Sequence, residues 1–324
     1  MEAGILTQAQ TESLYQVLDQ ATLVLAEELE TTYLDALIEI SEDLFAKQIQ
    51  VEAGRPSERV QARLEQLFGG INVDTMDGET IRQAIQLALL RAMKTDKIQA
   101  NHQLTPDTIG FLVAYLLESL TSKVSELTIL DPVVGTGNLL ATVLHRLNAR
   151  PELDVKAVGV DVDDTMLAMA GVSFDLQHTD VALIEADATS TALPKADAVI
   201  ADLPLMHDNR SETVDNELIY HSLQALNECG YGIYIVPSSL LDTAEAVKLI
   251  KELTTTAYLQ GFLKLPTELF KDVRAQKALL IVQRHGGSAK QADQVLLGTF
   301  PSFKDVQAFQ AFLGNINAWV SQLG

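Results

Sequence analysis

Residues Thr128–Leu140 read Thr-Ile-Leu-Asp-Pro-Val-Val-Gly-Thr-Gly-Asn-Leu-Leu, and no other segment restricts the fold as much. An apolar run ends in Asp131-Pro132, turns through Gly135-Thr136-Gly137 and enters a helical pattern at Asn138. Glycines at the turn let the backbone bend tightly and let a ligand approach without a Cβ in the way. The N-terminus of the helix that follows offers unpaired N–H groups and a partial positive charge. Such a unit opens a doubly wound α/β sheet, although the same residues also suit a plain strand-to-helix turn.

The pattern around it supports the sheet. From about residue 105, Leu127–Asp131, Lys156–Val162, Val181–Ala186, Asp197–Asp202, Gly232–Val236, Tyr258–Leu265 and Ala278–Gln283 are short apolar runs. Helix-length segments such as 138–149 and 164–178 lie between the earlier ones. Strands alternating with helices predict a parallel sheet covered on both faces. The shorter gap before the last run suits a seven-stranded sheet ending in an antiparallel pair, with Val306–Leu323 as a terminal helix. Residues 1 to about 100 read instead as helical. Leu14, Val17, Leu18, Ala21 and Leu25 keep three- and four-residue spacing, and Leu34, Leu37, Ile38 and Phe45 continue the stripe. Ala53-Gly54-Arg55-Pro56-Ser57 breaks it, with Ser57 placed to cap a helix through Leu64 and Leu67, and another periodic run covers Ile81–Met93. The expected organisation is a helical N-terminal domain over 1–100 and the sheet domain over 101–324.

Composition narrows the function classes. With 47% hydrophobic residues in 324 there is ample material for a full core, and no run of about 18 apolar residues exists to span a membrane. The N-terminus lacks the basic and apolar regions of a signal peptide, so a cytoplasmic protein is expected. Cys229 is the single cysteine, which excludes an internal disulfide, and the histidines show no metal-ligand spacing; no metal is expected. The 44 acidic against 23 basic residues leave a net charge of −21, and ten acids face one base, Lys47, in the first 50 residues. Phosphate neutralisation dominates nucleic-acid affinity, so this balance weighs against autonomous DNA or RNA binding.

Two further strand ends carry acids. Asp161 follows Gly137 by 24 positions at the end of the second apolar run, where a carboxylate can accept from a ribose diol. Asp187 ends the third run over the same cleft. The blander readings are that Asp163 and Asp164 cap the next helix and that Asp187 is a turn residue. Leu140 stands where a nicotinamide-binding loop has Gly or Ala, and no Gly-Lys-Ser/Thr ending is present. The indicated cofactor has a ribose and an adenine but no pyrophosphate.

Asp131-Pro132-x-x-Gly135-Thr136-Gly137-Asn138-Leu-Leu resembles the first motif of class I S-adenosylmethionine (SAM)-dependent methyltransferases. It is especially similar to that of N6-adenine DNA methyltransferases and the modification subunits of type I restriction systems. Thr105-Pro106 matches the family's Thr-Pro segment, and Lys264–Phe270 followed by Ala278–Gln283 resembles the end of its catalytic domain. The resemblance spans roughly residues 100–285. It implies a Rossmann-like methyltransferase fold with SAM as cofactor. Thr105-Pro106, Asp131 and the backbone from Gly135 through Thr136 to Gly137 would lie by the methionine moiety, Asp161 would hold the ribose and Asp187 would face the adenine, with Pro132, Asn138, Val162 and Ala188 also in the cofactor site.

After the fourth strand the family carries Asn/Asp-Pro-Pro-aromatic, whose acid or amide oxygen and next carbonyl accept the two N–H bonds of a flipped adenine amine. The chain has Asp202-Leu203-Pro204-Leu205 there. Asp202 keeps the acceptor, the Leu203 carbonyl stays available and Pro204 keeps the stiff turn, but Leu205 replaces the stacking aromatic. A missing stacking face costs about 1–3 kcal/mol per base. His207 offers another ring or is an ordinary loop residue. His221 and Tyr220 read as packing or surface groups, and Pro237-Ser238-Ser239 as a helix cap or cleft lining. Lys271, Arg274 and Lys277 form a basic cluster, either a phosphate contact or solvated charges. The resemblance implies methylation of the adenine N6 in DNA, with a specificity subunit or a homodimer as partner. Competing readings are a methyltransferase for RNA, protein or a small molecule, and a SAM-binding interaction module without transfer activity.

Overall fold

The computed structural model describes residues 2–97, 104–203, 213–242, 246–272 and 275–323. Four helices come first, α1 (Glu2–Leu29), α2 (Tyr33–Ala46), α3 (Glu58–Phe68) and α4 (Gly78–Thr95). Their apolar stripes converge: Leu14, Leu18 and Leu25 of α1 meet Leu37 and Ile40 of α2, Leu64 of α3 and Ile81 and Ile85 of α4. Thr32 and Asp77 cap α2 and α4 by accepting from backbone N–H groups three residues on. Ser57 sits at the N-cap position of α3, but its side chain makes no capping bond.

The rest alternates as α5 (Asp107–Leu120), β1 (Glu126–Asp131), α6 (Asn138–Leu147), β2 (Asp154–Asp161), α7 (Asp164–Leu176), β3 (Ala182–Glu185), β4 (Ala196–Asp202) and α8 (Thr213–Ala225). It continues as β5 (Leu226–Pro237), α9 (Ala246–Thr256), β6 (Ala257–Lys264), β7 (Lys277–Arg284), β8 (Leu296–Thr299) and α10 (Val306–Leu323). The strand order is β3-β2-β1-β4-β5-β7-β6-β8. This is the Rossmann-like α/β sheet expected from the strand–helix alternation, with an eighth strand added at the edge. β8 reads Leu-Leu-Gly-Thr, and its glycine cuts the apolar run short of a recognisable strand pattern.

The five leading strands run parallel, while β7 enters between β5 and β6 and runs antiparallel to both. One antiparallel strand among parallel ones places its first residue at their carboxyl ends. Lys277 pairs with Pro237 there, one edge with Asp131, Asp161 and Asp202. Ligands of open α/β sheets bind at that edge.

α5, α6 and α10 cover one face of the sheet and α8 and α9 the other. α7 is buried on two sides. Leu167, Ala170 and Phe174 join the core of the sheet, whereas Met166, Met169, Val172 and Leu176 join that of the N-terminal helices. The helical region is thereby packed directly onto the element that follows Asp161.

Candidate active site

At the carboxyl end of β1, Gly135 and Gly137 hold φ of +52° and +81°. A Cβ on Gly137 would lie 2.8 Å from Phe174 Cζ, whereas one on Gly135 would meet nothing within 4 Å. The first glycine therefore leaves open space over the loop, and the second lets α6 start tight against α7. The N–H of Gly137 donates to the Val134 carbonyl, and that of Val134 to Val160, which ties the turn to β2.

Asp161 buttresses this loop from the neighbouring strand. Its Oδ2 accepts from Gly135 N (2.7 Å) and its Oδ1 from Asp163 N (3.0 Å). Each carboxylate oxygen retains a further lone pair for a ligand hydroxyl. Val162 beside it is 71% exposed. Asp131 is 1% exposed and accepts from Val133 N (3.1 Å). Burial pushes its carboxyl well above the ordinary range, and the nearby Asp161 and Asp202 add to the shift. Asp163 caps α7 through Met166 N, as its blander reading has it. Asp187 accepts from the N–H and hydroxyl of Thr189, which hold its carboxyl below the usual range, while the Ala188 carbonyl faces His221 Nδ1 at 2.8 Å.

Asp202 lies at the end of β4, 16% exposed at its side chain. Its Oδ2 accepts from Thr105 Oγ1 (2.7 Å), and its Oδ1 accepts from Lys277 Nζ. The same Nζ donates to the Leu203 carbonyl at 3.3 Å. Lys277 is thus neither a phosphate-ready loop cation nor a solvated charge, and the Leu203 carbonyl is not free. The antiparallel insertion of β7 is the reason, because it delivers the lysine to the ends of the parallel strands. Pro204 and Leu205, like His207 and Arg274, lie outside the described residues.

Thr105 links this corner to the loop: its carbonyl accepts from Asn138 Nδ2 (2.8 Å), and Pro106 sits at the N-cap position of α5, its carbonyl accepting from the N–H groups of Ile109 and Gly110. Asn138 Oδ1 in turn accepts from Arg82 Nη1 (3.1 Å) of α4. Arg82 is 2% exposed and forks onto both carboxylate oxygens of Glu79 and of Asp107. Pro132 and Thr136 are buried in the same loop. Sequence reading missed Arg82, Phe174 and the placement of Lys277. The available signal for Arg82 was a cation directly beside Ile81 at the start of the apolar periodic run Ile81–Met93.

Residues 88–299 match the N-6 DNA Methylase family, and residues 12–93 match the YtxK N-terminal helical domain. The chain belongs to the N-6 DNA methylase family. A candidate class I SAM-dependent methyltransferase of Listeria monocytogenes is 34% identical, with a TM-score of 0.88 over 96% of this chain and 99% of that one. The uncharacterized protein YtxK of Bacillus subtilis (strain 168) is 31% identical over 325 residues, 95% of this chain and 96% of that one. The methyltransferase subunit of a type I restriction-modification system from Streptococcus thermophilus shares the fold, with a TM-score of 0.62 at 14% identity over 98% of this chain and 90% of that one. The family is one of SAM-dependent methyltransferases, and its class I sheet is the one described above. Among the described residues no helix is long and apolar enough to cross a membrane.

Proposed function

We propose that this N-6 DNA methylase family member binds SAM at the carboxyl ends of β1–β3 and methylates an amino nitrogen held by Asp202 and the Leu203 carbonyl. The exocyclic N6 of adenine in DNA is the acceptor most consistent with that pair. One observation carries the reading: a carboxylate oxygen and a neutral carbonyl converge on a single amine nitrogen, that of Lys277, beside the glycine loop.

The residues fit SAM. The open space over Gly135, together with Thr136, Asn138 and the Thr105-Pro106 segment, suits the methionine end, with Asp131 and Pro132 beneath it. Asp161 keeps lone pairs for the ribose diol, and the exposed face of Val162 suits an apolar ring edge. Asp187 and Ala188 bound the adenine side. SAM supplies, when bound, a methyl group on a positively charged sulfur. Asp202 and the Leu203 carbonyl accept the two N–H bonds of the acceptor, which turns the nitrogen lone pair toward that methyl. Thr105 fixes the Asp202 carboxylate by donating to its other oxygen. Asp202 is also the nearest base for the proton that the methylated amine releases. Positioning supplies most of the rate in such a site, so no stronger base is required.

A second reading is a SAM-binding interaction module without transfer, supported by Leu205 in place of the stacking aromatic and by the −21 charge. In the transfer reading the same two features assign DNA recognition to a specificity subunit or a second copy of the chain.

Calorimetric titration with SAM, with NAD as control, tests the cofactor site. Saturable micromolar binding of SAM alone, about −8 kcal/mol, is expected, and Asp161→Ala should abolish it. Normal SAM binding by Asp161→Ala would show the cofactor site to be misplaced. Asp202→Ala should leave SAM binding intact and remove labelled-methyl transfer to unmethylated DNA. Absence of transfer by the wild-type protein to DNA, RNA and protein alike would favour the module.

A further inference from the structure

Lys277 stands where the acceptor amine belongs. The two atoms assigned above to the substrate nitrogen, Asp202 Oδ1 and the Leu203 carbonyl oxygen, are those that accept from Lys277 Nζ. The remaining Asp202 oxygen is held by Thr105 Oγ1. The lysine side chain is 14% exposed, so an entering amine meets a largely desolvated, charge-assisted bond and must replace it.

Two simpler roles explain less. As a counter-ion only, Lys277 would relieve the crowding of Asp131, Asp161 and Asp202, whose mutual repulsion contributes to the raised Asp131 carboxyl. That role needs a carboxylate contact and leaves the bond to the uncharged Leu203 carbonyl without purpose. As a methyl acceptor itself, Lys277 would need a free lone pair, which the three-donor ammonium form of a lysine side chain lacks.

Resting on the assignment of Asp202 and Leu203 as the amine subsite, we propose that Lys277 is a specificity-determining residue that occupies this subsite in the acceptor-free protein. An acceptor is methylated only if its amine displaces the lysine from both oxygens. Neutral aromatic amines such as adenine are therefore poor competitors in the wild-type chain, and removal of the lysine opens the subsite to them.

The test compares the wild type with Lys277→Met and with the double variant Lys277→Met/Asp202→Asn. Methionine keeps the length of the side chain without donors. The added Asn keeps an acceptor oxygen and removes the carboxylate that Lys277→Met leaves unpaired, so the experiment survives if the single variant folds poorly. The probe is a short adenine-containing single-stranded deoxyoligonucleotide. Its binding is read by fluorescence anisotropy with S-adenosylhomocysteine present, and its methylation by transfer of labelled methyl from SAM. SAM affinity is measured in parallel.

The expected result is a gain of at least about tenfold in oligonucleotide affinity for both variants, about 1.4 kcal/mol, with methyl transfer rising in step in Lys277→Met, which keeps the Asp202 carboxylate. SAM affinity should stay within about threefold. The sign discriminates, because loss of a lysine that contacts phosphate weakens DNA binding. Weaker or unchanged oligonucleotide binding with SAM binding intact overturns the proposal, and so does labelled methyl on Lys277 in peptides of the wild type. Failure of all three proteins to bind SAM would instead overturn the underlying cofactor reading, and this proposal with it.

Discussion

The two halves of the cleft are built by different kinds of contact. On the β1–β2 side, Asp161 is held by backbone N–H groups 26 and 2 residues away in sequence, and Asp131 by one 2 residues away. These bonds form as soon as one strand–turn–helix unit docks on the next. On the β4 side, Asp202 is held by side chains 97 and 75 residues away, Thr105 and Lys277. That half exists only once α5 and the antiparallel β7 are both in place. Backbone donors cannot be exchanged by substitution, whereas side-chain donors can. The β1–β2 half is therefore the conservative part of the design, and the β4 half is where a chain of this family can change what it accepts.

Arg82 joins the two halves from outside the sheet, and its loss should have the largest effect. Arg82→Ala leaves Glu79, Asp107 and Asn138 without their buried donor and should destabilise the fold by about 3–5 kcal/mol. Denaturant unfolding measures this, and a shift below about 1 kcal/mol would mean the helical region does not brace the cleft.

A paired glycine substitution sharpens the comparison within the β1–β2 half. Gly137→Ala drives a Cβ into Phe174 at a left-handed φ and should cost about 2–4 kcal/mol, with SAM affinity falling too. Gly135→Ala meets only the left-handed strain, about 1–2 kcal/mol. Its effect should appear chiefly in ligand titration, since the new methyl enters the open space. Equal stability losses at the two positions would break the distinction between packing glycine and access glycine.

The smallest expected effects are in pH dependence. Burial raises the Asp131 carboxyl, so the folded state holds its proton longer than the unfolded chain does. Its contribution is present in acid and is lost as pH rises past the ordinary carboxylate range. Asp131→Asn should therefore flatten the fall in stability between acid and neutral pH. Asp43, in the N-terminal helices and pushed up to about 6 mainly by burial, has the same sign over the interval from about 4 to 6. After solvent screening its share is on the order of 1 kcal/mol. Adding SAM should leave the Asp43 part unchanged, because that residue is remote from the cleft. Thermal unfolding across pH, with and without SAM, separates the two; a SAM-sensitive Asp43 step would contradict the proposed cofactor site.

Much of the β1–β2 half was legible in the sequence. The glycine turn, the acid at the end of the second apolar run and the alternation of strand and helix are local patterns, and the runs between Leu127 and Ala186 fell within two residues of β1–β3, whereas Gly232–Val236 caught only the second half of β5 (Leu226–Pro237). The N-terminal helices were legible for the same reason, since a stripe at three- and four-residue spacing already implies a buried face. The β4 half was read only in part. Asp202 was found through the resemblance of Asp202-Leu203-Pro204-Leu205 to the family's tetrapeptide after the fourth strand, but Lys277 was grouped with Lys271 and Arg274 as loop charges.

Periodicity and turn chemistry act over a few residues, and they were sufficient to set the class of fold, the helical N-terminal region and the line of carboxylates along one sheet edge. Strand order could not be read the same way. That β7 inserts between β5 and β6, that Lys277 thereby reaches Asp202, and that Arg82 reaches Asn138 depend on which surfaces meet when the sheet closes. Those choices are made by burial of apolar area across the whole chain and by the need to pair each buried charge, terms that no local window contains.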